Sequence, residues 1–190
     1  IENHKKWIDA ASQMGCHSVR VNLYGVEQKK KWMEYSSSSL TSLSEFSKDY
    51  NINVIVENHG SLSSNAELLM QVINNVNLKN CGTLPDFGNF CIKRLDGDLY
   101  DSECIKEYDR YKGLKEMMPK AFAVSAKSNL FNKNGEEVNI DYLRMLRIVK
   151  NSGYNGYIGV EYEGHDLSVS EVDGILATKN LLIKKGKLIT

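Results

Sequence analysis

Asn53-Val54-Ile55-Val56-Glu57-Asn58-His59 and Tyr157-Ile158-Gly159-Val160-Glu161-Tyr162-Glu163 decide the fold class. Each is a short run of β-branched, strand-type residues that ends in a glutamate. A carboxylate buried at such a strand end and left unpaired costs stability, so it requires a metal, a partner or water. Between them lies a third run of the same form, Thr83-Leu84-Pro85-Asp86-Phe87-Gly88. Three acidic strand ends in one chain point to a polar site at one rim of a parallel sheet.

Working outward, helix and strand patterns alternate. A helix near Glu2–Met14 leads through Gly15 into a strand at His17–Leu23. In the polar stretch Glu27–Tyr50, Leu40, Leu43, Phe46 and Tyr50 fall at near-helical spacing, while the serine run Ser36–Ser39 leaves its first half open between helix and loop. Ser64-Asn65-Ala66-Glu67 has capping-box spacing, and Leu68, Leu69, Val72, Ile73 and Val76 mark one face of the helix behind it. A strand beginning near Cys81 carries Asp86, and a long polar loop, about Phe87–Asp101, leads to a helix ending near Met118. Ala121–Ser128 reads as a strand, followed by a loop around Asn132-Lys133-Asn134-Gly135. Ile140, Leu143, Leu146 and Val149 mark a helix closed by Gly153, and Val172, Ile175, Leu176, Leu182 and Ile183 mark the last helix. Strict alternation implies parallel strands with right-handed helical crossovers.

Bulk composition narrows the function. The 190 residues suit a single domain, 1–190, with a sizeable core. Lys+Arg and Asp+Glu both number 24, which gives no electrostatic case for nucleic acid or an anionic membrane as partner. No apolar run approaches the roughly 20 residues of a membrane span. Cys16, Cys81, Cys91 and Cys104 lack C-x-x-C spacing and read as reduced thiols, hence a cytoplasmic location. The first residues do not read as a secretion signal, and the chain lacks an initiating Met, so an upstream segment is expected.

Side chains alternate across a strand, so Glu57 and His59 share a face, as do Ser125 and Lys127, Glu161 and Glu163, and Arg20 and Asn22. The apolar sets, Val54/Val56, Phe122/Val124 and Ile158/Val160, point the other way. Apolar sets under helices and polar sets turned inward describe the upper layers of a (β/α)₈ barrel, whose active sites sit at the C-terminal rim. A doubly wound sheet would need both faces apolar.

Val56-Glu57-Asn58-His59-Gly60, Leu84-Pro85-Asp86-Phe87-Gly88-Asn89-Phe90, Val124-Ser125-Ala126-Lys127 and Gly159-Val160-Glu161-Tyr162-Glu163-Gly164 together resemble the xylose isomerase-like TIM-barrel superfamily, and within it the sugar phosphate isomerase/epimerase branch. The ordered match runs from about Val19 to the final helix. It implies a partial (β/α)₈ TIM barrel, about five parallel strands alternating with helices that correspond to strands four to eight. An incomplete barrel leaves sheet edges that invite association, so a homo-oligomer is one expected state.

The resemblance also implies a divalent metal held by a Glu, an Asp, a His and a second Glu. Glu57, Asp86 and Glu161 fill three of those places; the His place falls on Ser125, and a second family His, turned to substrate, falls on Asn89. Oxygen ligands suit Mn²⁺ or Mg²⁺ better than Zn²⁺. His59 shares the face of Glu57 and could supply a nitrogen instead. The implied chemistry is metal-assisted isomerisation or epimerisation of a small carbohydrate through an enediolate, with Glu57 and Glu161 as the proton-transfer groups. His59, Asn89 and Lys127 would then bind substrate. Three rivals stand beside this reading: a lyase or hydrolase acting on an oxidised sugar, a non-catalytic carbohydrate-binding relative suggested by Ser125 and Asn89, and an abasic-site endonuclease. The last needs several His ligands and a basic face that the chain lacks.

Single residues also carry plainer readings. A strand-end Glu is more often an ion-paired rim residue than a ligand, and Asp86 between Pro85 and Gly88 is turn chemistry. Lys127 has equal claims as a structural ion-pair partner, of Glu57 or Glu161, and as a functional group. Arg20 and Asn22 read as a buried polar pair supporting the site, Trp7 and Trp32 as helix packing, and Glu163 and His165 as solvated loop.

Overall fold

The computed structural model describes residues 1–95, 97, 102–164, 166 and 168–189. The expected solvated position of His165 lies outside them. In chain order the elements are α1 (Glu2–Gln13), β1 (Ser18–Val21), α2 (Lys29–Ser47), β2 (Asn53–Glu57), α3 (Ala66–Val76), β3 (Cys81–Leu84), β4 (Cys91–Arg94) and β5 (Cys104–Glu107). They continue with α4 (Arg110–Met117), β6 (Val124–Ser128), α5 (Tyr142–Asn151), β7 (Ile158–Tyr162) and α6 (Glu171–Gly186).

Strands β1, β2 and β3 pair in parallel, Val19 opposite Val54 and Val56 opposite Thr83. β6 pairs in parallel with β7, which sets Lys127 directly opposite Glu161. Two parallel bridges, Thr83↔Ala121 and Asp86↔Ser125, join β3 to β6. The result is a five-strand parallel array in the order β1-β2-β3-β6-β7, flanked by helices, a TIM-barrel-like fold. Among the described residues, β1 bonds only to β2 and β7 only to β6, so both flanks end in open edges.

The helices bury one face each against this array. Leu40, Val54, Val56, Leu69 and Val72 lie in one apolar cluster, and Phe87, Leu114, Val124, Met145 and Leu146 in a second. Each such side chain contributes roughly 1.5–3 kcal/mol when fully buried. Helix starts are fixed by side-chain caps worth about 1 kcal/mol each: Asn65 for α3, Asp109 for α4, Asp141 for α5 and Ser170 for α6. The cap of α3 is therefore Asn65 and not the Ser64 of a capping box; the Ser64 hydroxyl donates instead to the Asn89 carbonyl, 2.7 Å away.

The structure corrects several expectations. The serine run is helical throughout: Ser36, Leu40, Leu43, Ser44 and Ser47 form the buried face of α2, where small side chains allow close packing. The loop after Phe87 is not structureless. It contains β4, which pairs with β5 just beyond it in an antiparallel hairpin of two short strands without a clear alternation to betray them. Cys91 and Cys104 are joined by a disulfide across that hairpin, so they are not reduced thiols; only Cys16 and Cys81 are free. Cysteine spacing is blind to a bond set by cross-strand geometry.

Trp32 is buried and donates its indole N–H to the Leu23 carbonyl, but Trp7 is 67% exposed. Of the apolar residues that mark α6 in the sequence, Val172, Ile175, Leu176 and Ile183 are exposed and Leu182 packs against the second cluster, while Gly174, Thr178 and Leu181 are buried. Tyr162 explains this, because its ring lies where a Cβ on Gly174 would sit, 2.1 Å from the nearest ring atom. No helix among the described residues is long and apolar enough to cross a membrane.

Candidate metal centre

β2, β3 and β7 end at the same rim, and their carboxylates meet there. Glu57, Asp86 and Glu161 each offer an oxygen, and the three atoms lie within 4.8 Å of one another. Glu57 and Asp86 are fully buried, 1% and 0% exposed.

The backbone explains how Asp86 is aimed. Its Oδ1 accepts the amide N–H groups of Gly88 and Asn89, both at 2.9 Å. This is the expected turn chemistry, but it uses only one oxygen. Oδ2 is buried with no hydrogen-bond partner. The neighbouring Ser125 hydroxyl donates to Glu161 Oε2 at 2.6 Å, and it lies near enough to Asp86 to pull that carboxyl's pKa down against burial. A buried, unpartnered carboxylate oxygen beside two further carboxylates is what a cation-binding position requires.

Two cations border the cluster. Arg20 donates to Glu57 Oε2. Lys127, nearly fully buried, donates to Glu163 Oε2 at 2.6 Å and stands 3.2 Å from Glu161 Oε1. Four carboxylates (Glu57, Asp86, Glu161 and Glu163) thus face two cations, an excess of two negative charges when all are ionised. A divalent ion matches that excess.

The titration of these groups follows from burial and mutual repulsion. Burial pushes the Glu57 carboxyl up to about 7, the Asp86 charge adds to the rise, and Arg20 opposes it. Asp86 is pushed up to about 6, again by burial first, with Lys127 pulling it down and Glu161 raising it. Burial raises Glu161 too, but the Ser125 hydroxyl and Lys127 outweigh it and hold the group below the usual range. For Lys127, burial disfavours the charge, yet Asp86, Glu163 and Glu161 together raise its pKa.

The remaining expected residues are placed as follows. Asn89 donates to Glu57 Oε1 at 3.3 Å, so it touches the cluster. His59 is not one of the clustered groups; its Nδ1 lies 2.5 Å from the Tyr24 hydroxyl, which also donates to the His59 carbonyl. Burial, then Lys127 and Arg20, lowers its pKa. Arg20 and Asn22 do not form a buried pair, since the Arg20 side chain is 47% exposed and turns to Glu57. Lys127 pairs with Glu161 and Glu163 and not with Glu57; Glu163 lies beyond the strand with its side chain 54% exposed, as expected of a solvated loop, and is in addition the ion-pair partner of Lys127.

Sequence reasoning passed over Asn58, which is fully buried. Its Oδ1 accepts the Asp86 N–H at 2.7 Å, and its Nδ2 donates to the carbonyls of Asp86 and Asn89 at 3.1 and 3.0 Å. That one side chain ties the end of β2 to the end of β3. Its signal was present: an amide directly after a strand-end glutamate, on the opposite face from it. A cavity of about 380 Å³ opens at the other end of the sheet, beside Asn53 and Asn80, and contains no carboxylate.

Parallel β/α units with acidic groups gathered at the C-terminal ends of the strands define a barrel-type site. The sequence model of the xylose isomerase-like TIM barrel matches residues 1–185, and the chain belongs to that family. A curated relative, the C-glycoside deglycosidase alpha subunit of Arthrobacter globiformis, is 33% identical over 73 residues, 37% of this chain and 21% of that protein. Among solved structures, the IolI protein with a bound zinc atom superposes with a TM-score of 0.71 at 18% identity, covering 100% of this chain and 69% of that one. A D-tagatose 3-epimerase-like protein gives a TM-score of 0.73 at 18% identity, covering 97% and 67%. The chain thus spans about two thirds of the length of these solved structures, and its match to the curated relative a smaller share still.

Proposed function

We propose that this chain carries the metal-holding part of an isomerase or epimerase acting on a small carbohydrate. The observation that carries the reading is the unpartnered, buried Oδ2 of Asp86 within the Glu57–Asp86–Glu161 cluster. These three residues would hold a divalent cation, which when bound supplies Lewis acidity toward a sugar carbonyl or hydroxyl oxygen. With oxygen donors only and Ser125 engaged with Glu161, the donor set favours Mn²⁺ or Mg²⁺ over Zn²⁺.

The chain's own residues do the rest. Glu57 and Glu161 stand on separate strands, one removing the proton beside a carbonyl and the other returning it. Lys127 and Arg20 hold these carboxylates in place, and Asn89, already in contact with Glu57, is set to donate to a substrate oxygen. His59 and Tyr24, paired at the same rim, offer a second polar contact. The solved structures of similar fold, an epimerase-like protein among them, support a carbohydrate substrate. A cytoplasmic location rested on reduced cysteines, and the Cys91–Cys104 disulfide removes that ground.

A second reading is favoured by the deglycosidase match: the same proton removal beside a carbonyl would expel a leaving group from an oxidised sugar. Incubating the full-length protein with Mn²⁺ and candidate sugars in D₂O separates the two by NMR. Deuterium at the carbon beside the carbonyl without loss of a group supports the isomerase, and release of a group supports the lyase. Glu57→Gln and Glu161→Gln should each abolish turnover, since loss of an acid/base group alone costs about 10²–10⁴-fold. Full activity in both variants would contradict the assignment.

A further inference from the structure

A second cavity, of about 300 Å³, lies on the same rim as the carboxylate cluster but has the opposite charge character. Glu27, Ser61, Leu62, Lys93, Arg94 and Lys106 line it. Glu27 belongs to the segment after β1, Ser61 and Leu62 to the turn after β2, and the basic residues to the β4–β5 hairpin after β3. All of these follow the C-terminal ends of parallel strands. The hairpin is continuous with the site, because it starts just beyond Asn89, and Ser61 follows His59-Gly60.

The hairpin register places Lys93 directly opposite Lys106. Like charges at directly opposed positions destabilise a hairpin. Among the described residues neither lysine forms an ion pair, and both are exposed. Arg94 adjoins them and donates to the Ser102 carbonyl at 2.5 Å, which fixes its side chain. The disulfide holds the two strands together despite this repulsion. Glu27 alone opposes three cations on the lining. A maintained like-charge pair beside a third cation, at the mouth of a cavity, is the chemistry that receives an oxyanion.

We propose that this cavity binds the phosphate or carboxylate group of an anionic carbohydrate, so that the substrate class of the neighbouring site is a charged sugar and not a neutral one. The proposal rests on the reading of the carboxylate cluster as the reaction site. Leu62 supplies an apolar wall for the sugar's carbon skeleton, and the lysines supply the charge-assisted hydrogen bonds.

Calorimetric titration of the full-length protein with a hexose phosphate, a hexuronate and the corresponding neutral hexose tests this. At least one anion should bind about tenfold or more tightly than the neutral sugar, and added salt should erode the gain. Lys93→Gln/Lys106→Gln should remove the gain and leave Mn²⁺ uptake unchanged. The anion that shows the lysine-dependent gain identifies the group. Equal binding of charged and neutral sugars, or a gain that survives in the double variant, would overturn the proposal. Loss of Mn²⁺ uptake by the wild-type protein with the anion gain intact would instead overturn the metal reading alone. Should the double variant fail to fold, inorganic phosphate should slow acetylation of Lys93 and Lys106 in the wild-type protein, read by mass spectrometry; unchanged rates would overturn the proposal.

Discussion

Asp86 concentrates the tension between stability and function. Its Oδ1 completes a turn that any such loop needs, while its Oδ2 is buried without a partner. Asp86→Asn keeps an oxygen for the Gly88 and Asn89 amides and puts a donor where the orphaned acceptor stands. In metal-free protein at pH 8 this variant should be more stable, on the order of 1–2 kcal/mol, by removing a buried charge. Denaturant unfolding would read it; a variant that is less stable than wild type would show that Oδ2 has a partner in solution. Ser125 sits where the family resemblance implies a nitrogen ligand. Ser125→His should tighten metal binding and shift preference toward Zn²⁺. Competition between Zn²⁺ and Mn²⁺ for the variant would show this, and an unchanged preference would place residue 125 outside the metal's reach.

At the element scale, the site depends on how strand ends are tied. The central strands β2 and β6 are almost wholly buried, while β7 lies at an open edge. Asn58 carries the cross-tie between the ends of β2 and β3 with three hydrogen bonds. Asn58→Ala leaves the Asp86 amide buried without an acceptor, so it should cost about 2–4 kcal/mol and loosen the cluster. A thermal-melt change near zero would mean that the tie is dispensable. Most elements were legible in the sequence because each carries a periodic apolar face, as α3 does through Leu68, Leu69, Val72, Ile73 and Val76. The hairpin was not, because its strands have no buried face to impose alternation. The exposure of Val172, Ile175, Leu176 and Ile183 on α6 escaped for a related reason: periodicity shows that a face exists, not which way it points.

For the whole molecule, the convergence of three carboxylates was legible as strand-end chemistry in a parallel array. The tethering by Asn58 and the Lys127–Glu163 pair depend on three-dimensional neighbours that spacing does not encode. The cluster also makes metal-free stability depend on pH. Glu57 and Asp86 titrate at about 7 and about 6 in the folded chain, against 4.5 and 3.8 for the free groups. The folded state therefore holds more protons between these limits, and stability should fall as pH rises from about 4 to about 7. Glu161, held low, works in the opposite direction only below its ordinary value, and Lys127 stays charged throughout. A bound cation replaces the protons, so Mn²⁺ should raise the melting temperature most above pH 7 and least near pH 5. Thermal melts across that range with and without Mn²⁺ would test this; a pH-independent Mn²⁺ effect would detach the metal from these carboxylates.

The most direct test is calorimetric titration of Mn²⁺ into the full-length protein and into its Asp86→Asn variant at pH 8. A cation held by Glu57, Asp86 and Glu161 predicts one ion per chain in the wild-type protein and none in the variant. Equal uptake by both, or no uptake by the wild type, would contradict the assignment and leave the three carboxylates as ordinary rim residues.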